Sequence, residues 1–307
     1  MITTVTLNPA IDKSILLDEV VLGEVHRIKE VVETVGGKGI NVSKVLNFFG
    51  VATTATGILG RDNADLFTTY LREKGIEDSF YQAAGKTRTN VKVNETKHQR
   101  TTDLNEPGLL LNEADIDRVN YKLVTLAGES DYMVLGGSLP RGADDTWYAD
   151  IIRLVKDKTT VVLDTSGAKL KDGISAGADI IKPNKEELEQ AYDVRFADNE
   201  ECVEFCAELI RGNRLSTVLL TLGGEGAVFI TEKVIYHSDP INVNVVNTVG
   251  AGDSFLGGYL TGKSIGKNNM EAFRIAVACG SLAVMQKGTD IFSKEEYDEM
   301  IEKVVVR

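Results

Sequence analysis

The chain of 307 residues is poor in cysteine, histidine and proline, with three, three and five of them. Cys202 and Cys206 lie one helical turn apart, but no second ligand pair and no histidine cluster accompanies them, so the sequence does not indicate a zinc site. With Cys279 the cysteines are odd in number, and we interpret them as buried or idle thiols of a reducing cytosol. No Pro/Gly-rich linker divides the chain.

Positive charge is also scarce, because 34 Lys and Arg residues stand against 46 Asp and Glu residues and the formal net charge is −12. This balance argues against general binding to nucleic acids or anionic membranes, so a phosphate site must be local, built from a few cations and backbone amides. No apolar run approaches membrane-spanning length. The segment Met1–Leu7 has neither a basic region nor a cleavage pattern. We therefore expect a cytoplasmic protein with no nucleic-acid or membrane partner.

What the chain does contain is 43% hydrophobic residues, enough for a sizeable core. Short β-branched runs alternate with amphipathic segments, which favours an α/β fold with a mostly parallel sheet and helices on both faces. The predicted strands are Thr3–Leu7, Ala52–Ile58, Tyr132–Gly136, Thr160–Asp164, Asp179–Lys182 and Val218–Leu222. The predicted helices are 41–49, 62–74, 113–127, 144–156, 199–211 and 269–286.

Two segments, 13–34 and 88–104, interrupt this alternation with extended runs and no helical pattern. Together they are expected to form a small separate sheet, and a sheet inserted over an α/β core makes a natural lid. We therefore interpret residues 1–307 as one domain that carries a β-sheet lid.

The most informative segment is 247–260, which reads Asn-Thr-Val-Gly-Ala-Gly-Asp-Ser-Phe-Leu-Gly-Gly-Tyr-Leu. An alternating apolar run, 241–246, leads into this glycine-rich turn, and a helix-like segment with Asp253 in its first turn follows. The backbone N–H groups of 250–252 and the helix dipole favour an oxyanion there. Asp253 beside such a site is either a base that takes a proton from an attacking hydroxyl or an ordinary helix cap.

Four further segments are candidate binding sites, and each has a structural alternative. Gly36–Asn41 allows a close backbone approach and includes Lys38, but it is also an ordinary glycine turn. Asn8–Asp12 ends a strand at the edge where α/β sheets bind ligands, although its acid equally suits a turn. Lys182–Glu187 offers ligands for Mg²⁺ and phosphate, or a capping box. Thr221–Gly226 admits a nucleotide, or simply makes a hairpin.

Gly257–Ser264 matches the P-loop pattern letter by letter. A P-loop follows a buried strand and opens a helix, whereas the residues from Ala251 onward read as helix. We therefore reject the P-loop interpretation and expect Gly262 to end that helix.

Gly-Gly-Lys-Gly-Ile-Asn near the start and Thr-Val-Gly-Ala-Gly-Asp-Ser near the end resemble the two signatures of the ribokinase-like phosphofructokinase-B family. Gly136–Pro140, Lys182–Glu187 and Leu222–Gly226 stand between them in the family's order, so the resemblance covers essentially the whole chain. It implies a doubly wound α/β core with a β-sheet lid, homodimers that form through the lid in some members, and ATP-dependent phosphoryl transfer with Mg²⁺.

The resemblance also implies roles for individual residues. Asp253 would be the catalytic base, and Gly250, Ala251 and Gly252 would form the anion hole for the γ-phosphoryl group. The residues that would support Mg²⁺ and phosphate are Asn184 and Glu187, and those that would contact ATP are Thr221, Gly223 and Gly226. Those that bind the sugar and a phosphate already on it are Asp12, Gly37, Asn41, Lys38, Arg88 and Arg27.

The expected acceptor is fructose 1-phosphate, with tagatose 6-phosphate as the alternative, because Thr6–Asp12, Lys86–Lys92 and Thr102–Gly108 resemble kinases of such sugar phosphates. A kinase for an unphosphorylated sugar or nucleoside is disfavoured, since it has no need of Lys38 and Arg88. A catalytically idle sugar-phosphate sensor on the same fold is disfavoured by the intact base and glycines.

Overall fold

The computed structural model describes residues 1–307 and contains fourteen strands and ten α-helices. The strands are β1 (Ile2–Thr6), β2 (Ala10–Leu17), β3 (Glu30–Gly36), β4 (Thr53–Gly60), β5 (Glu77–Asp78), β6 (Tyr81–Ala83), β7 (Arg88–Glu95), β8 (Arg100–Asn105), β9 (Tyr132–Gly136), β10 (Thr160–Asp164), β11 (Ile180–Ile181), β12 (Thr217–Thr221), β13 (Ala227–Ile230) and β14 (Ile235–Ser238). The helices are α1 (Lys38–Phe48), α2 (Ala64–Glu73), α3 (Glu113–Ala127), α4 (Trp147–Val155), α5 (Ala168–Ala176), α6 (Lys185–Tyr192), α7 (Asn199–Gly212), α8 (Ala251–Ser264), α9 (Asn269–Ala283) and α10 (Lys294–Ile301), and a short 3₁₀ helix spans Gly223–Glu225.

The larger sheet has ten strands in the order β14-β13-β12-β11-β10-β9-β1-β4-β5, with β6 also pairing with β4. From β12 to β5 all pairings are parallel, and only β13 and β14 are antiparallel additions at one edge. Because β1 lies in the middle and the chain runs outward from it in both directions, the sheet is doubly wound, as predicted.

Helices cover both faces of this sheet, and the strand side chains alternate between two cores. Met133 and Leu135 of β9 pack in one core with Ile152 of α4. Val134 between them packs in the other core with Leu256 of α8. A strand that is buried on both faces reads as a continuous apolar run, which is why β9 and β10 are predicted at their observed bounds.

The smaller sheet has the order β3-β2-β7-β8. β2 is antiparallel to β3 and parallel to β7, and β7 is antiparallel to β8. Ala10 pairs with both Gly36 and Arg88, so the sheet begins directly beside the ends of β1 and the start of α1. Residues 18–29, within the first segment expected to be extended, form a loop between β2 and β3.

Several local predictions need correction. α1 begins at Lys38 rather than at 41, and α9 ends at Ala283 rather than at 286. The alternating apolar run 241–246, for which no strand was predicted, forms neither strand nor helix. The structure adds α5, whose apolar pattern is interrupted by Gly173, and α10, which buries only Met300 and therefore has little apolar periodicity.

α8 also shows what its glycines do. The P-loop-like stretch lies inside this helix, which confirms that it is not a P-loop. The expectation that Gly262 ends the helix is wrong, because α8 continues to Ser264 and Gly266 (φ +79°) follows it. A Cβ on Gly262 would lie 2.6 Å from Ala272 Cα, so the glycine is required by the close approach of α9. No helix in the structure is long and apolar enough to cross a membrane.

Candidate active site

A cavity of about 1220 Å³ lies between the carboxyl ends of the central strands, the N-terminus of α8 and the smaller sheet. This is the edge at which open α/β sheets bind ligands. The predicted site residues that line it are Asp12, Gly37, Lys38, Asn41, Arg88, Asn184, Glu187, Thr221, Gly223, Gly226, Gly250, Ala251, Gly252 and Asp253. Arg27 is not among them, because it lies exposed in the loop between β2 and β3.

The N-terminus of α8 presents backbone donors to this cavity. The N–H groups of Gly250, Gly252 and Asp253 have no hydrogen-bond acceptor within the chain, whereas that of Ala251 donates to Thr248 O at 3.4 Å. Gly250 adopts φ +79°, a conformation that glycine reaches without strain. Unpartnered N–H groups at the positive end of a helix dipole form an anion-binding site.

Asp253 lies beside these donors and is 7% exposed. Its Oδ2 accepts a hydrogen bond of 2.8 Å from Asn41 Nδ2. Burial raises the pKa of Asp253, and the ammonium of Lys38 only partly offsets that effect. A carboxylate with a raised pKa is a stronger base than an ordinary aspartate, so Asp253 is suited to accept a proton.

Two lysines share a carboxylate that the sequence motifs do not single out. Asp164, at the end of β10 and 1% exposed, accepts Lys38 Nζ at 2.9 Å and lies 3.3 Å from Lys182 Nζ. Burial by itself would raise the pKa of Asp164, but the two ammonium groups more than offset it and hold the pKa below its usual value. Burial likewise opposes the charge of Lys38, but Asp164 and Asp253 raise its pKa.

Within this cluster, the Lys182 ammonium adds positive charge to the anion site at the start of α8. A Cβ on Gly252 would lie only 2.8 Å from Lys182 Nζ, so the ammonium sits directly against the N-terminus of α8. Lys182 opens the Lys-Pro-Asn-Lys-Glu-Glu motif, and Asp164 ends a predicted strand at the ligand-binding edge. These two signals are present in the sequence, but only the fold shows that they meet Lys38.

On the side of the smaller sheet, Arg88 forms a fixed cationic group. Its guanidinium donates to Asn8 O at 3.0 Å, to Ser138 Oγ at 3.1 Å and to Glu106 O at 3.1 Å. Burial lowers the pKa of Arg88, and Asp12 counteracts this. Ser138 belongs to the Gly-Gly-Ser-Leu-Pro motif, but no role was predicted for it, because its partner lies fifty residues away in the sequence.

Asp12 lies on β2 next to Arg88 and faces the same cavity. Its Oδ1 accepts a hydrogen bond of 3.3 Å from Asn90 Nδ2, and burial raises its pKa. A Cβ on Gly36 would lie 2.1 Å from Asp12 Oδ2, so a glycine is required where β3 passes this carboxylate. The Asp12 carboxylate, the Asn90 amide and the Arg88 guanidinium therefore lie together at the cavity, which suits a polyhydroxylated anion.

On the far side of the cavity, the capping box and the hairpin that the sequence offered as structural alternatives are both present. Asn184 and Glu187 form a reciprocal capping box at the start of α6, with bonds of 2.7 and 3.0 Å. Glu187 Oε2 makes the cap, which leaves Oε1 without a hydrogen bond. Thr221 N donates to Pro183 O at 3.0 Å, and Gly226 (φ +100°) has no room for a Cβ beside Ser238 O. Capping and hairpin roles therefore coexist with cavity-facing positions for these residues.

The comparisons with known proteins agree with this geometry. Residues 5–296 match the family described as pfkB family carbohydrate kinase. A 1-phosphofructokinase of Vibrio cholerae is 35% identical, with 99% of this chain and 96% of that protein covered. A tagatose-6-phosphate kinase of Staphylococcus epidermidis is 31% identical over 100% of this chain and 99% of the relative. The solved structure of ribokinase from Thermotoga maritima has a TM-score of 0.78 at 21% identity, covering 98% and 99% of the two chains.

The chain therefore belongs to the pfkB family of carbohydrate kinases. The predicted ribokinase-like α/β fold, with a large mainly parallel sheet and a small separate one, is confirmed. The protein is an enzyme of the kinase class, as the signature motifs predict.

Proposed function

We propose that this chain transfers the γ-phosphoryl group of ATP to fructose 1-phosphate, giving fructose 1,6-bisphosphate and ADP. The observation that carries the proposal is the buried Asp253 carboxylate beside the unpartnered N–H groups of Gly250 and Gly252. The similarity to a 1-phosphofructokinase supports this acceptor. The second candidate is tagatose 6-phosphate, because a tagatose-6-phosphate kinase is similar over the whole length.

In this proposal the sugar lies against the smaller sheet. Asp12 accepts hydrogen bonds from its hydroxyls, and Asn41 donates to them. The backbone at Gly37 lets the sugar approach closely. The phosphate already on the sugar lies on Arg88 and Ser138, since a guanidinium and a hydroxyl are suitable phosphate donors. Arg27 is exposed and outside the cavity, so the structure offers no contact from Arg27 of the same chain to this phosphate.

The proposed chemistry follows from the charges around Asp253. The acceptor hydroxyl loses its proton to Asp253 while the hydroxyl oxygen forms a bond to the γ-phosphorus. The bond from the γ-phosphorus to the β-phosphate oxygen breaks and releases ADP. The N–H groups of Gly250, Gly252 and Asp253 and the ammonium of Lys182 stabilise the negative charge on the transferred group. Lys38 favours the ionised form of Asp253, because its ammonium lowers the pKa that burial raises.

The residues at the far side fit ATP and Mg²⁺. The glycine-rich segment of Thr221, Gly223 and Gly226 leaves room for a nucleotide beside β12. The structure contains no cluster of His, Cys, Asp and Glu that encloses a metal by itself. This fits Mg²⁺, which is commonly held by one or two carboxylates, waters and the phosphates of the substrate. Glu187, through Oε1, and Asn184 are the residues proposed to support it, and Mg²⁺ when bound neutralises charge on the phosphate oxygens.

We also propose that the smaller sheet is a lid that excludes water and that two copies associate through it. Closing a lid over the cavity suppresses transfer of the phosphoryl group to water. The loop and strand at its edge expose apolar side chains, including Leu22 (94% exposed), Val25 (97% exposed), Val31 and Val32. Exposed apolar groups beside open strand edges support association with a second copy of this chain.

Coupled ADP release with Mg-ATP tests the acceptor directly. Fructose 1-phosphate, fructose 6-phosphate, tagatose 6-phosphate and ribose are compared in parallel, with Asp253→Asn as the inactive control. A kcat/KM for fructose 1-phosphate at least tenfold above the others, about 1.4 kcal/mol of transition-state preference, is the expected result. A preference for tagatose 6-phosphate would move the proposal to the second candidate. A preference for ribose would contradict the phosphate role of Arg88.

A further inference from the structure

Lys44 is a buried lysine that does not line the cavity, yet it contacts the hydrogen-bond partner of Asp253. It lies on α1, three residues after Asn41, and is 9% exposed. Its Nζ donates to Asn41 Oδ1 at 3.2 Å, to Thr289 Oγ1 at 3.0 Å and to Val35 O at 3.3 Å. An ammonium has three N–H donors, so these three acceptors use all of them.

We propose that Lys44 is a positioning residue for phosphoryl transfer: its ammonium orients the Asn41 amide toward Asp253 and holds Thr289 against the start of α8. The inference rests on the proposed role of Asp253 as the base. Lys44 touches neither the cavity nor, in the proposed arrangement, a substrate, and it acts only through Asn41 and Thr289.

The first part of the argument is the orientation of an amide. The Asn41 side chain has one end that accepts and one that donates hydrogen bonds. Because Lys44 occupies the oxygen, the Nδ2 end faces Asp253 Oδ2, where the distance is 2.8 Å. With Lys44 absent, rotation of the amide by half a turn would place two oxygens against each other. Lys44 therefore determines whether Asp253 receives its side-chain hydrogen bond.

The second part concerns the anion site. Thr289, in the segment after α9, packs on Gly250, since a Cβ on that glycine would lie 3.2 Å from Thr289 Cγ2. Lys44 also holds Val35 O, one residue before the Gly36-Gly37 junction between β3 and α1. One ammonium thus connects the base, the start of α8 and the attachment of the smaller sheet. Such connections restrict motion at the reacting centre, which phosphoryl transfer requires.

The charge on Lys44 gives this role a pH dependence. Burial lowers the pKa of Lys44 to about 8. Asp290 of the loop after α9, Asp12 of β2 and Asp253 of α8 counteract this, whereas Lys74, which follows α2, adds to it.

The Tyr70 ring of α2 lies 5.3 Å from Lys44 Nζ, and because burial raises the pKa of its hydroxyl to about 12 it stays neutral up to pH 10. Above pH 8, Lys44 becomes a neutral amine with two N–H donors for three acceptors. Turnover is therefore expected to decline on the alkaline side near pH 8.

The test compares Lys44→Met, Lys44→Arg and the control Lys74→Met. Lys74 lies over the same Tyr70 ring, at 5.7 Å, but is exposed and has no contact with Asn41. The measurements are kcat and both KM values from pH 6 to 9.5, the Kd for ADP, and the Tm. Lys44→Met is expected to lose at least tenfold in kcat at pH 7.5, about 1.4 kcal/mol, with the KM for ATP and the Kd for ADP changed less than about threefold.

Two further results are expected from the pH profiles. Lys44→Met loses the alkaline decline near pH 8, and Lys44→Arg retains more turnover than Lys44→Met and moves the decline above pH 9, because a guanidinium stays protonated. Lys74→Met keeps the wild-type kcat at pH 7.5 and retains the alkaline decline, displaced only slightly to higher pH because one charge that lowers the Lys44 pKa is removed. If Lys44→Met does not fold, the profile of Lys44→Arg decides.

Wild-type kcat in Lys44→Met, or a decline that stays near pH 8 in Lys44→Arg, overturns the proposal. If Asp253→Asn is inactive while the Lys44 variants behave as wild type, only this inference fails. If Asp253→Asn is active, the proposed base itself is wrong.

Discussion

Asp253→Asn separates the chemical role of this side chain from any structural one. The substitution keeps the size and shape of the side chain and removes only its charge and basicity. An asparagine oxygen at 253 still accepts the hydrogen bond that Asn41 Nδ2 makes at 2.8 Å. We expect turnover to fall by at least ~10²-fold, the lower end of general-base effects, which corresponds to about 2.7 kcal/mol of barrier.

Folding stability should respond in the opposite direction. Burial raises the pKa of Asp253, so the folded state favours the protonated carboxyl. The stability that this protonation contributes is fully present below the unfolded pKa and is lost as pH rises through the raised folded pKa. The asparagine variant has no such loss. Its Tm should therefore equal or exceed that of the wild type at pH 7.5, and the difference should shrink toward pH 4.

Three assays check this reasoning: coupled ADP release, calorimetric Kd for ADP, and Tm as a function of pH. Near-normal turnover in Asp253→Asn would remove the base assignment. A Tm several degrees below wild type at pH 7.5 would instead show that the carboxylate has a structural role. Asp12→Asn is the matched comparison, because Asp12 is a half-buried carboxylate that likewise has an amide partner. It should raise the KM for the sugar phosphate while reducing kcat far less than Asp253→Asn does.

The remaining predictions concern the cations and the smaller sheet. Arg88→Met should raise the KM for the sugar phosphate at least ~10-fold, since charge-assisted hydrogen bonds are the strong ones; a raised KM for ATP instead would refute the phosphate role. Lys38→Met should move the acid limb of the kcat profile to higher pH, because Lys38 lowers the pKa of Asp253, and an unmoved limb would contradict that coupling. Val25→Glu should convert the proposed dimer to monomers in sedimentation analysis, whereas a wild-type protein that sediments as a monomer would exclude association through the smaller sheet.

Much of the candidate site could be predicted because its parts are local in sequence. The anion site needs only glycines before a helix, and 247–260 shows both features in one stretch. The capping box of Asn184 and Glu187 is likewise a short-range pattern. The alternation of strands and helices predicts the α/β class, since the hydrophobic periodicity of each element is visible in its own residues.

The smaller sheet could be predicted in outline for a related reason. Residues 88–104 contain alternation without a helical pattern, which is enough to predict a hairpin there, and the strands lie at Arg88–Glu95 and Arg100–Asn105. The parallel pairing of β2 with β7 could not be predicted, because it joins residues nearly eighty positions apart. Helix α10 was not expected either, since it buries a single methionine.

The sequence by itself determined which chemical groups are present and which backbone segments carry them: a carboxylate in the first turn of a helix, glycines before it, and cations in short motifs. Only the tertiary structure decided the partners of those groups. Lys38 meets Asp164 across 126 residues, Asn41 meets Asp253 across 212, and Lys44 meets Thr289 across 245. Charge and hydrogen bonding act through a few ångströms of space, so a pKa or the orientation of an amide is set by neighbours that the chain brings together only when it folds.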